Sequence, residues 1–263
     1  MPVRPAALLV VLGLTATAAR AQTLCEGRAD ALGTARVLTV DAATTPRVGR
    51  KSFPQTLPLA PHEVVLTFDD GPWPGTTPHV LDALKNECVK ATFFLVGGNA
   101  VTYPQLARRE IAEGHTVGSH TYSHPLLDRM SFSAAVAEID RGFAGVDSAL
   151  YGQPIQVPRT PFFRFPGFAS TPALLEHLEK RGIVVFGADL WASDWNPQSP
   201  DEELKLVLQR LGALRGGGIV LLHDTRAQTA AMLPEFLRAL KRGGYSVVHV
   251  VPAQHPTAQS SPR

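Results

Sequence analysis

Asp69 and Asp70 stand side by side where the apolar run 64–68 ends, just before Gly71 and Pro72. Two adjacent carboxylates repel each other and neither favours burial. Their place at a strand mouth calls for a metal ion, a proton to move, or both. His120 and His124 are four residues apart, and Pro125 biases His124 away from helix, so the pair belongs on a loop or an irregular turn. Two imidazoles and one carboxylate make three protein ligands and leave open positions for water or substrate. The other carboxylate stays free as a base, because a bound divalent ion brings the pKa of its water toward about 7.

Arg164 lies in Phe162-Phe163-Arg164-Phe165-Pro166-Gly167. A permanent cation in an apolar strand needs a carboxylate partner, and Asp69 is the natural one. Pairing would orient the base and keep it ionised. Leu221-Leu222-His223-Asp224 closes another apolar run, and a His there could give a proton to a leaving amine. Asp194-Trp195 adds a carboxylate and a flat apolar face suited to a sugar ring. His62, His79, His115, His177, His249 and His255 fall on helices, strand starts or the tail, and carry no chemistry in this reading.

The elements that must position these residues follow from the apolar rhythm. Seven short β-branched or aromatic runs recur at 64–68, 92–96, 116–119, 162–165, 183–186, 219–222 and 246–250. Helical patterns fill most of the intervals. Thr77-Pro78 and Thr171-Pro172 read as N-caps followed by Pro at the first helical position, and Ser199-Pro200-Asp201-Glu202 reads as a capping box. Residues 131–150 read as a long helix, and helix ends meet Gly114, Gly182, Gly216 and Gly243. Strands alternating with helices imply an α/β fold with parallel pairing, as a barrel or an open doubly wound sheet. The candidate residues gather at the C-terminal ends of the strands, the edge that hosts sites in both architectures.

The chain has 263 residues, 44% of them apolar, with a formal charge of +2. That is enough for one large domain, and the absence of a dense Lys/Arg block gives no support to nucleic-acid binding. Arg4, the run 6–18 and Ala19-Arg20-Ala21 read as a signal peptide over residues 1–21, with a mature chain from Gln22. The run is too short for a comfortable membrane span, and Gln22-Thr23-Leu24 does not prepare Cys25 for lipidation. The expected protein is therefore exported, periplasmic or secreted. Cys25 and Cys88 then form a disulfide or remain two thiols; spacing does not decide it. Residues 22–60 look like an extended N-terminal lead, 61–251 like the folded domain, and 252–263 like a loose tail.

Taken in order, these motifs resemble the polysaccharide deacetylases of the NodB-homology type, carbohydrate esterase family 4. The resemblance runs from about Val64 to Val250. It implies Asp69 as catalytic base and Asp70, His120 and His124 as metal ligands. Arg164 would hold the base. Asp194 would tune His223, the general acid, while Trp195 lines the groove and Leu221 receives the acetyl methyl. It also implies a distorted (β/α)7-type barrel and one divalent metal, Zn2+ with Co2+ or Ni2+ as alternatives. The implied reaction removes N-acetyl groups from N-acetylglucosamine units of chitin oligomers or peptidoglycan. One position departs from the pattern: the family usually places an aromatic after the Pro of the third motif, where this chain has Gly167. The Gly167 N–H still offers an oxyanion donor, but the side-chain wall is lost. Two other functions compete: a non-haem Fe(II) oxygenase using the same three donors, and a non-catalytic glycan-binding module on the same barrel.

Overall fold

The computed structural model describes residues 28, 30–154, 158–214 and 217–253. Signal peptide, Cys25 and residues 254–263 of the expected tail lie outside them. Ten strands, β1 (Thr34–Val40), β2 (Arg47–Val48), β3 (Glu63–Asp69), β4 (Thr92–Leu95), β5 (Thr116–Ser119), β6 (Phe162–Phe163), β7 (Val184–Phe186), β8 (Leu190–Trp191), β9 (Gly218–His223) and β10 (Ser246–Pro252), form one sheet. Every pairing is parallel. Seven helices connect them: α1 (Thr77–Asn86), α2 (Gly97–Thr102), α3 (Pro104–Ala112), α4 (Phe132–Tyr151), α5 (Pro172–Lys180), α6 (Pro200–Ala213) and α7 (Ala227–Arg242).

The sheet curls into a distorted barrel that does not close. From β3 it runs one way through β4, β5, β6 and β7, and the other way through β9 to β8. Among the described residues no ladder joins β7 to β8. The seven expected runs are all strands. The three additional strands lack a continuous apolar run: β1 has Thr34, Arg36 and Thr39 among its apolar residues, and β2 and β8 are only two residues long. Thr34–Val40 alternates between half-buried and exposed positions up to Thr39, ends in the buried Val40 and pairs with β10, so the N-terminal lead contributes to the sheet.

Strand parity positions the site. On β3, Val64, Leu66 and Phe68 pack outward with the helices, while Val65 faces an inner cluster with Phe94, Phe162, Phe186 and Ile219. Side chains alternate along a strand, so Thr67 and Asp69 continue the inner column. The same count on β9 puts Leu221 and His223 inward after Ile219, and after β6 it puts Arg164 inward behind Phe162. Each fully buried Phe of the inner cluster contributes about 2–3 kcal/mol by apolar burial, which fixes the column on which the polar ends stand.

Helix starts follow local chemistry with one correction. Ser131, Thr171 and Ser199 accept backbone N–H bonds as N-caps, and Ser199 with Glu202 completes the capping box. α1 begins one residue earlier than Thr77-Pro78 suggests, with Thr76 as an N-cap that makes no side-chain bond. Thr77 has another use: its hydroxyl accepts from the Trp73 N–H and donates to the buried Asp224.

Candidate active site

Arg164 organises the floor of the site. It is fully buried, and its Nη1 donates to Asp69 Oδ1 at 2.7 Å and to Thr67 Oγ1 at 2.8 Å. Nη2 and Nε donate to the carbonyls of Gly187 and Phe186, and the guanidinium lies 4.4 Å from the Phe94 ring centre. A buried cation is tolerable only when its donors are satisfied this fully. The Arg164 carbonyl also takes part: it lies 2.7 Å from His120 Nδ1. A carbonyl only accepts, so Nδ1 carries the proton and Nε2 presents a lone pair.

That lone pair faces acids. His120 Nε2 is 3.7 Å from Asp69 Oδ2 and 3.6 Å from Asp70 Oδ1, and His124 Nε2 is 3.1 Å from the same Asp70 oxygen. Burial, stronger than the pull of the two acids, holds the His120 ring below its ordinary pKa, which keeps its Nε2 lone pair free. The donor atoms of Asp70, His120 and His124 lie within 4.8 Å of one another. The hydrogen bond to Asp70, against burial, holds the His124 ring above its ordinary pKa, so a cation would take the place of a proton there; two imidazoles and a carboxylate this close together fit a divalent ion.

The loops that carry these donors are held in unusual conformations. Asp70, Thr121 and His124 have φ of 76, 65 and 62°, and Phe168 and Ser193 at the same edge have 57 and 60°. Non-glycine residues keep such dihedrals only where surrounding contacts impose them. Glu138 of α4 accepts the N–H groups of Tyr122 and Ser123, and Asn99 donates to the Asp70 carbonyl. Gly71 is required because a Cβ there would lie 2.2 Å from an Asp224 oxygen. The His120/His124 pair is on an irregular loop, as Pro125 predicted.

Across the pocket, His223 Nδ1 is 2.8 Å from Asp194 Oδ1, and the His223 N–H donates to Asp194 Oδ2 at 2.6 Å. Burial pulls the His223 ring down, but the Asp194 hydrogen bond and charge, with Asp70 and Asp69, outweigh it and push it up to about 9. It therefore carries a proton at neutral pH. Asp189, at the strand end near it in sequence, does not join the site. It accepts from Arg50, Thr56 and the Ile219 N–H at the opposite end of β9.

A cavity of about 350 Å3 brings together Asp69, Asp70, His120, His124, Gly167, Trp195, Leu221 and His223. All the expected site residues except the buried Arg164 and Asp194 line it. The wall missing at Gly167 is supplied by its neighbours. Phe168 stacks on Trp191 with ring centres 6.0 Å apart, and Trp191 meets Trp195 at 5.8 Å. Trp195 stands edge-on to His223 at 5.9 Å. Sequence reasoning missed Phe168, Trp191, Arg226 and the supports Thr67, Asn99 and Glu138. Only Thr67 carried a signal, its place two residues before Asp69 on the inner parity.

The family model described as polysaccharide deacetylase matches residues 57–186. The chain is 35% identical over 206 residues to a chitooligosaccharide deacetylase of Bradyrhizobium sp., covering 73% of this chain and 90% of that protein. It is 36% identical over 187 residues to the peptidoglycan-N-acetylglucosamine deacetylase PgdA of Listeria monocytogenes, covering 71% of this chain but 38% of that longer protein. A solved peptidoglycan deacetylase from Bdellovibrio bacteriovorus superposes with a TM-score of 0.75 at 32% identity, covering 87% of this chain and 62% of that one.

Proposed function

The chain belongs to the polysaccharide deacetylase family, and we propose that it removes N-acetyl groups from N-acetylglucosamine units of an exported glycan, with chitin oligomers and peptidoglycan as the substrates to compare. The observation that carries this reading is the pairing of two charge systems across one cavity. On one side a base is held by Arg164 beside three convergent metal donors; on the other a protonated His223 is held by Asp194.

Asp70, His120 and His124 would hold the ion, with Zn2+ expected and Co2+ or Ni2+ as alternatives. A divalent ion bound there supplies polarisation of the acetyl carbonyl and acidification of a water. Asp69 uses Oδ1 for Arg164 and keeps Oδ2 toward the cavity, so Oδ2 is the oxygen that takes the proton from the attacking water. His223 offers Nε2, the nitrogen not bound to Asp194, and gives its proton to the departing amine. Leu221 sits at 3% exposure on the cavity wall and provides the apolar seat for the acetyl methyl. Gly167 lines the cavity, and its N–H is the candidate oxyanion donor. Trp195, with Trp191 and Phe168, offers flat faces to sugar rings.

Parallel α/β architecture supports a hydrolase over the oxygenase alternative, and the acid–base pair supports an enzyme over a binding module. The signal-peptide pattern over residues 1–21 supports export, and no helix among the described residues is long and apolar enough to cross a membrane. The test is acetate release from N-acetylglucosamine oligomers and from peptidoglycan by the chain from Gln22, with chelator and with Zn2+ restored. Chelator-sensitive acetate release is expected. No acetate from either glycan by the metal-loaded protein would overturn the reading.

A further inference from the structure

Behind the general acid a buried chain of polar groups runs from Asp194 to two residues, Thr229 and Glu203, that none of the sequence motifs includes. Thr229 Oγ1 is 2.9 Å from Asp194 Oδ2 and 2.8 Å from Glu203 Oε1. Asp194, Thr229 and Glu203 are all fully buried. We propose that Glu203 is a positioning residue for the general acid: it is un-ionised in the folded protein and, through Thr229, fixes Asp194 beside His223. The proposal deepens the deacetylase reading and rests on it for its kinetic consequence.

Proton counting decides it. A hydroxyl carries one proton and cannot donate to two carboxylates at once. If both acids were ionised, one of the two short O···O contacts would contain no proton, and two like charges would face each other across a single atom in the core. One carboxyl must therefore hold a proton. Asp194 already receives two N–H donors, from the His223 backbone and from His223 Nδ1. Glu203 receives no donor besides the shared hydroxyl, and its Oε2 is buried without a partner. The proton sits on Glu203 Oε1, which donates to Thr229, and Thr229 in turn commits its own proton to Asp194.

The surroundings agree. Burial, stronger than the Thr229 hydrogen bond, pushes Glu203 up to about 7, with the Asp194 charge acting in the same direction as burial and His223 against it. Arg210, on the same helix, spends its guanidinium on the Trp191 carbonyl and the Ser193 hydroxyl. The result is one negative charge, not two, behind His223. Asp194 has three donors and one orientation, so the Nδ1–H of His223 is fixed and Nε2 is aimed at the cavity.

The test uses the metal-loaded protein and three variants: Glu203→Gln, Glu203→Leu and Thr229→Val. In infrared difference spectra at mildly acidic to neutral pH, wild type minus Glu203→Gln is expected to show the carbonyl stretch of an un-ionised carboxyl, displaced in Thr229→Val. In acetate release, Glu203→Gln should stay within about threefold of wild type, because an amide N–H replaces the acid O–H. Glu203→Leu and Thr229→Val should lose about tenfold or more in kcat, with KM and metal content unchanged. Only ionised-carboxylate bands, or Glu203→Gln as damaged as Glu203→Leu, would overturn the proposal. So would wild-type turnover in Glu203→Leu. The infrared arm needs no turnover, so wild-type protein that releases no acetate would sink the deacetylase reading while the Glu203 proton is still decided.

Discussion

The carbonyl oxygen of Arg164 lies 2.7 Å from His120 Nδ1, while the guanidinium of the same residue binds Asp69 at 2.7 Å. One residue thus fixes the tautomer of a candidate metal donor through its backbone and the position of the candidate base through its side chain. The Arg164 N–H also donates to the Ser119 carbonyl, which pins the two strand ends together. The base and the metal donors cannot shift independently.

Replacing Arg164 with Leu should therefore damage both stability and chemistry. It strands the buried Asp69 without its cation, at a cost of about 3–5 kcal/mol. Urea unfolding should show that loss. Arg164→Lys keeps the charge but lacks the planar fork that reaches Thr67, Gly187 and Asp69 together, and acetate release should fall by about 100-fold or more. A lysine variant with wild-type turnover would mean that charge alone suffices.

The two adjacent acids should separate by metal content. Asp69→Asn leaves the three convergent donors intact, so turnover should vanish while bound metal, measured by elemental analysis, stays near one per chain. Asp70→Asn should lose metal as well as activity. Metal lost from Asp69→Asn instead would mean that the two roles are exchanged.

Sequence patterns gave the site's chemistry more fully than its walls. Asp69, Leu221, His223 and Arg164 sit on the inner parity of apolar strands, and a period of two can be counted in a linear sequence. The supports cannot. Glu138 reaches the 121–124 loop from the middle of α4, and Glu203 reaches Thr229 from α6; these contacts depend on how helices pack, which periodicity does not specify. The aromatic wall shows the same limit. Gly167 suggested a missing surface, yet Phe168 turns inward through a left-handed backbone and meets Trp191 from the far side of the β7–β8 seam. The strand β1 was invisible because Thr34, Arg36 and Thr39 break its apolar run and it joins the sheet by pairing with β10.

The pH profile should report His223. A general acid works only while protonated, so activity should hold below the ring's pKa and fall as pH rises through it. With the ring pushed up to about 9 by Asp194, Asp70 and Asp69 against burial, that limb lies on the alkaline side. A bound cation draws it down from there, because it offsets the two acids. Asp194→Asn should move the limb to lower pH still by removing the main raising group, and kcat/KM against pH would show it. An unmoved limb would remove His223 from the role.

Two histidines outside the site should make the fold acid-sensitive. Burial, aided by Lys90, His249 and Arg109, pushes His115 down to about 3; burial, aided by Lys90, pushes His249 down to about 4. Both are neutral in the folded protein and take up a proton near pH 6.5 when unfolded. Their contribution is complete above that value and is lost as pH falls below it, by about 2 kcal/mol each near pH 5. The urea midpoint should drop between pH 7 and 5. Thr116 gives its one proton to the Val250 carbonyl, so His249 must donate Nε2–H to Thr116. His249→Gln can keep that donor without titrating, and should flatten part of the drop.

Arg226 should discriminate between glycans. It lines the catalytic cavity and also the neighbouring cleft formed with Trp73, Asn99 and Tyr122. Its Nε is buried without a hydrogen-bond partner, and among the described residues no carboxylate pairs with it. A half-buried guanidinium left unpaired beside a substrate path favours an anionic substituent on the substrate. Peptidoglycan strands carry carboxylates, and chitin oligomers carry none. Arg226→Gln should therefore lower kcat/KM on peptidoglycan fragments by about 10-fold or more, the worth of a hydrogen bond to a charged group, while acetate release from N-acetylglucosamine oligomers changes little. Raising salt should weaken the wild type on peptidoglycan and leave the variant unaffected, because the contact is electrostatic. An equal loss on both glycans would show that Arg226 shapes the cavity and does not read charge.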